Sequence, residues 1–125
     1  MVPYVNVSIG ELVDKTTILE IKMDHAKDPV QLAFLGNEYR YLLSEIANLT
    51  VSPYLMEELI AVNRTIWDIE DQIRIYERKQ DFGENFIRCA RDIYIKNDER
   101  YSIKKRIDTT YNSEFQEQKI LPAYK

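Results

Sequence analysis

Residues 53–80 read PYLMEELIAVNRTIWDIEDQIRIYERKQ, and the fold class follows from them. Leu55, Leu59, Val62, Ile66, Ile69, Ile73 and Tyr76 recur at alternating spacings of four and three, with no Gly or Pro after Pro53. That spacing places all seven on one face of a long α-helix. Ser52-Pro53 starts it with a capping residue followed by a proline, whose fixed backbone suits a first helical position. Asp81-Phe82-Gly83 breaks it, and Asp81 with Glu84 has the spacing of a capping box for a second long helix over 82–109. There Phe86, Ala90, Ile93, Asn97 and Tyr101 share one face, with Ile107 near the end. Lys104, Lys105 and Arg106 fall in the last turns, where the helix dipole favours positive charge.

The same signals recur upstream. Ser8 and Glu11 form a capping box for a helix over 8–27, with Leu12, Thr16, Leu19, Met23 and Ala26 on one face. Asp28-Pro29 opens another over 29–49, with Gln31 as the box partner and Leu32, Leu35, Tyr39, Leu42, Ile46 and Leu49 as its stripe. Residues 3–7 alternate as a short extended arm, and periodicity is lost over 110–125, an irregular tail with room for one short turn. The expected architecture is a single all-α domain over 1–125. It is an antiparallel helical bundle of two hairpins, about four helices, with the long third and fourth as its spine.

Composition agrees. The 125 residues contain only three Gly and four Pro, too few for the turns of a sandwich or barrel. Apolar residues are 45% and charged residues 30%, which suits a folded core rather than a disordered chain. One cysteine, Cys89, and one histidine, His25, leave no disulfide framework, Cys-based zinc site or His-based catalytic triad; no metal and no cofactor is expected. Cys89, beside Ala90, reads as a small apolar filler. No basic and apolar leader opens the chain and no apolar run is long enough for a membrane span, so the expectation is a cytoplasmic protein with no membrane contact. A net charge of −4 makes nucleic acid an unlikely partner, since phosphate neutralisation supplies most of that affinity. Lys96, Arg100, Lys104, Lys105 and Arg106 make only a short basic face.

The informative positions break the pattern. Asn97 interrupts the apolar face of the fourth helix, where a buried amide fixes register within a bundle or across a dimer, or else binds a ligand. Beside the core stripe of the third helix, offset by about 100°, run Asn63, Trp67, Glu70, Arg74 and Glu77. Their counterpart on the fourth helix is Ile87, Arg91, Tyr94, Asp98 and Tyr101. Two antiparallel helices could pair Arg74 and Arg91 with acids as an ion-pair seam. Alternatively, the two arginines bind an anion while Trp67 and Tyr94 stack on a planar group. On the first helix Glu11, Lys15, Ile18, Lys22 and His25 share a side, and Ile18 with Ile21 implies cover by the tail or another subunit. Ser8-Ile9-Gly10-Glu11 could hold an anion on free backbone N–H groups, but Glu11 already serves that helix end and capping is preferred. Asp68 and Asp71 could share a cation, though two carboxylates without a third read better as a solvated face.

Three blocks taken together resemble a known family: Ser8–Lys22 (SIGELVDKTTILEIK), Val62–Arg74 (VNRTIWDIEDQIR), and Ala90–Tyr94 with Asn97–Arg100. They look like a bacterial and phage family of about this length, catalogued only as a domain of unknown function, with recurrent GEL-DK-TILEIK, LW-IED-IR and ND-R blocks. The resemblance implies a self-contained domain and no known activity. It draws attention to Gly10, Glu11, Asp14, Lys15, Glu20, Lys22, Trp67, Glu70, Asp71, Arg74, Arg91, Asn97, Asp98 and Arg100. The family's closing Gly-Ser turn appears here as Asn112-Ser113.

Two functions follow as expectations. The first is a non-enzymatic helical interaction module that self-associates, as a dimer, and acts through a protein partner. The second is a small helical enzyme or binding domain for an anionic, phosphorylated ligand. Its cleft would use Lys15, Lys22, Trp67, Asp71, Arg74, Arg91, Asn97 and Asp98. Arg74 and Arg91 facing an open cleft unpaired would favour the second; both paired inside the bundle would count against it.

Overall fold

The computed structural model describes residues 1–125. It contains four helices and no strand: α1 (Ile9–His25), α2 (Pro29–Ala47), α3 (Pro53–Arg78) and α4 (Glu84–Thr110). The helix starts are mostly set locally. Ser8 Oγ accepts from Glu11 N at 3.0 Å and Asp28 Oδ1 from Val30 N at 3.0 Å, with Pro29 in the first turn of α2. Two capping expectations are corrected. Ser52 makes no side-chain cap; its N–H donates to the Tyr111 hydroxyl instead. Asp81 does not cap α4 either, because its carboxylate accepts from Gly83 N only two residues on, closing a turn, and Gly83 takes the cap position. The tail forms no helical turn before Pro122.

The helices form an antiparallel bundle, but α1 rather than the α3–α4 pair is its centre. It packs on all three other helices, whereas α2 approaches α1 alone. Gly10 meets Asp108 and Asp14 meets Arg100, so α1 runs antiparallel to α4. Asp14 meets Asn63 and His25 meets Trp67, so it runs parallel to α3. This explains Ile18 and Ile21: the cover on the second side of α1 comes from within the chain.

The fully buried apolar cluster is Val13, Ile46, Val51, Leu59, Val62 and Ile107, all at one end of the bundle. Each contributes roughly 1.5–3 kcal/mol of transfer free energy. Beyond the end of α1, α3 and α4 continue alone. The 11 residues of α3 past Trp67 extend roughly 17 Å at 1.5 Å per residue. No residue from Arg64 to Ile103 is fully buried. The tail turns back along α4: Glu117 reaches Lys104, Lys119 reaches Asn97 and Asp98, and the Tyr124 ring meets Tyr94 edge-on at 5.1 Å. No helix is long and apolar enough to cross a membrane.

Candidate functional site

The polar centre of the molecule lies where α1 crosses α3 and α4. Asp14 is fully buried, and its carboxylate takes a two-pronged contact from Arg100, with Nε to Oδ1 at 2.9 Å and the terminal nitrogen to Oδ2. Asn63 Nδ2 donates to the same Oδ1 at 2.9 Å and to Thr17 Oγ1 at 3.0 Å. A buried carboxylate is tolerated only when paired and hydrogen-bonded, and this geometry supplies both. One turn along α4, Lys104 is buried and donates to Glu11 and Glu117, each at 2.7 Å, with Asp14 at 3.9 Å. Burial would lower the Lys104 pKa, but its bonds to Glu11 and Glu117 and the charge of Asp14 outweigh that and hold it above its ordinary value. Arg100 is likewise raised, chiefly by its hydrogen bonds to Asp14.

The N-terminus of α1 closes the cluster. Ile9 N donates to Ser113 Oγ at 3.1 Å, Gly10 N to Asp108 Oδ1 at 2.6 Å, and Leu12 N to Ser8 O at 3.1 Å. With Glu11 N on Ser8 Oγ, the N–H groups of the first three helical residues are all engaged, and Leu12 N makes the first bond within the helix. A carboxylate of the protein, Asp108, occupies the place an external anion would take. Gly10 is required there: a Cβ would lie 2.6 Å from the Lys104 carbonyl oxygen and 2.9 Å from Asp108 Oδ1. The reciprocal bond of the Ser8–Glu11 box is replaced, since the Glu11 carboxylate turns to Lys104. Lys104 is therefore not a solvated charge at the end of α4, and it does not belong to a basic face. The buried charges of the cluster, Asp14 and Lys104, are paired within the chain, so the cluster holds α1, α3, α4 and the tail together.

The eight candidate residues are placed apart from this cluster. Lys15 pairs with Glu38 on α2 at 3.2 Å, and Lys22 is exposed. Trp67 stacks on His25 with ring centroids 4.6 Å apart; its Nε1 is the one buried side-chain polar atom without a partner. Asp71 and Arg91 are exposed and form no ion pair. Arg74, 74% exposed, pairs with Glu70 of its own helix at 3.0 Å. The pair expected to seal α3 to α4 through Arg74 is thus made within one helix, because Glu70 stands one turn away on the same side. The ion pair that does join α3 to α4 is Glu58 with Arg106. Asn97 is half-buried and lies outside the apolar cluster; its carbonyl accepts from Lys119 Nζ at 3.4 Å, and Asp98 pairs with Lys119 at 3.8 Å. The structure therefore brings Asn97 and Asp98 together under the tail, while Lys15 turns to α2.

Neither of the two main clefts contains any of the eight. One, of about 530 Å³, lies between α3 and α4 and is lined by Val62, Thr65, Lys96, Ser102 and Ile103 beneath the Glu58–Arg106 pair. The other, of about 410 Å³, separates Val5–Ile9 from Asn112–Phe115. No group of three or more His, Cys, Asp or Glu side chains is placed to hold a metal ion. Asp14, Arg100, Asn63, Lys104 and Asp108 are the residues of structural consequence that the candidate set lacks.

The model of a family of unknown function, DUF6165, matches residues 3–123, so the chain belongs to that family. No curated protein and no solved structure matches it.

Proposed function

We propose that this member of a family without an assigned activity is a helical interaction module that self-associates and acts through a protein partner. One observation carries the reading. Apolar rows run the length of α3 and α4, yet no residue from Arg64 to Ile103 is fully buried. A pair of helices cannot cover both of its own faces, and amphipathic helices gain most of their stability from a packed apolar face. α2 adds a second uncovered surface, with Val30 and Phe34 64% and 74% exposed. Large contiguous apolar surface on a folded chain marks an interaction site.

The ligand-binding alternative lacks a comparable support, since its cationic residues share no main cleft. A bacterial or phage protein of a reducing, cytoplasmic compartment suits a chain with one unpaired cysteine, Cys89. Light scattering across a concentration series tests self-association. A mass that rises towards twice that of one chain is expected. A mass that stays at one chain up to tens of micromolar overturns it.

A further inference from the structure

The groove that α1 fills at the base of α3 and α4 runs on past His25 to the tip of the hairpin, where no other helix of the chain packs; the tail borders it on the α4 side, with Lys119 on Asn97 and Asp98 and Tyr124 on Tyr94. Its floor carries on the same two helix faces. On α3, Asn63 and Trp67 meet α1, and Glu70, Ile73 and Arg74 follow at helical spacing. On α4, Asp108, Lys104 and Arg100 meet α1, and Asn97, Ile93, Ala90 and Phe86 follow. Ile73, Phe86, Ala90 and Ile93 are each half-buried, covered by the opposite helix on one side only.

The overhang is also polarised in charge. Its shoulder carries the acids Asp68, Glu70, Asp71, Asp92, Asp98 and Glu99 against Lys96 and the tail's Lys119, which pair with Glu99 and Asp98 and leave Asp68, Asp71 and Asp92 without ionic partners. Its tip carries the bases Arg74, Arg78, Lys79, Arg88 and Arg91 against Glu77, Asp81 and Glu84. An acidic shoulder and a basic tip on one rod-like hairpin are self-complementary only when two rods lie antiparallel.

We infer that the occupant of this groove is the α3–α4 hairpin of a second copy, laid antiparallel so that each basic tip covers the acidic shoulder of the other. The two hairpins make a four-helix bundle about a two-fold axis, with the half-buried apolar rows as its core. The charge arrangement sets orientation and register, the usual task of interfacial ion pairs. A parallel pairing would set tip on tip and shoulder on shoulder and is repelled. This inference rests on the self-association proposed above and names its surface.

Asp71 and Arg78 provide the test. They lie seven residues apart on one side of α3, both exposed, and neither has an ionic partner in its own chain. Reversing them leaves the fold of one chain alone. Sedimentation equilibrium at low salt compares the wild type, Asp71→Lys, Arg78→Glu, the double variant D71K/R78E, and Phe34→Gln on α2. The dimer dissociation constant is expected to rise at least tenfold in each single reversal and to return to within about threefold of wild type in the double variant. It should also weaken as salt screens the pairs, while Phe34→Gln leaves it unchanged. A wild-type dimer that tolerates both single reversals, or that only Phe34→Gln disrupts, overturns the antiparallel hairpin and leaves self-association standing through α2. A wild type that never dimerises overturns both.

Discussion

Asp108 is pulled two ways. Burial pushes its carboxyl pKa above the ordinary 3.8, while the Gly10 N–H, the Lys104 charge and the Ser8 hydroxyl draw it back without cancelling the rise. A group whose folded pKa is raised contributes most stability below its unfolded value and loses that contribution as pH climbs through the folded one. Asp108→Asn keeps an oxygen to accept from Gly10 and removes the titration. The variant is expected to gain on the wild type as pH rises above 3.8. Urea unfolding of both proteins between about pH 4 and pH 7 measures the unfolding free energy of the variant minus that of the wild type; a difference that stays constant, or that falls with rising pH, contradicts it. The inward position of Asp108 and Lys104 is legible in the sequence: continuing Phe86, Ala90, Ile93, Asn97 and Tyr101 by three and then four lands on both. Their partners are not legible. Glu11 and Gly10 stand 93 and 98 residues away, and no local pattern encodes a contact at that range. Asp14 is hidden for a related reason. Its stripe, Gly10, Asp14, Thr17 and Ile21, is polar in composition although every member is buried, so hydrophobic periodicity passes over it.

At the scale of elements, the helix boundaries follow from chemistry that acts within a turn. Ser8, Asp28-Pro29 and Ser52-Pro53 all mark true starts, and the observed ends lie within two residues of those read from the pattern. The exception, at the start of α4, comes from the same short range, because Asp81 had a nearer donor in Gly83. What periodicity does not carry is which helix sits in the middle. α3 and α4 have the longest stripes yet only three buried residues each, whereas the shorter α1 has seven because it alone touches three neighbours. Local stability should follow this distribution. In dilute protein, amides of residues 68–78 and 84–96 are expected to exchange faster than those of 55–63 and 100–108. At higher concentration the distal set should slow as the second copy covers it. Native-state hydrogen exchange at two concentrations checks this, and uniform protection along α3 and α4 at both would contradict it.

For the molecule as a whole, the tail is an integral part of the bundle although it has no regular structure. Glu117 supplies one of the two close carboxylates on buried Lys104, and Lys119 and Tyr124 hold the segment against α4. Removing residues 116–125 keeps Ser113 at the start of α1 and deletes the Glu117 contact. A charge-assisted hydrogen bond to a buried group is worth about 1.5–3 kcal/mol. The shortened chain is expected to lose about that much stability with its helix content intact, as read by urea titration followed by circular dichroism; a loss of helix would show the tail to be needed for the fold itself.

The first turn of α1 is finished by Ser113 and Asp108, across 104 and 98 residues of sequence. During synthesis the ribosome delivers α1 early and its finishing groups about a hundred residues later, so the central helix waits with an open end while α2, α3 and most of α4 emerge. Closing so long a loop is slow compared with forming a helical hairpin. The first turn of α1 is therefore completed only once α4 has formed, and the shorter-range pairing of α1 with α2 precedes that closing step.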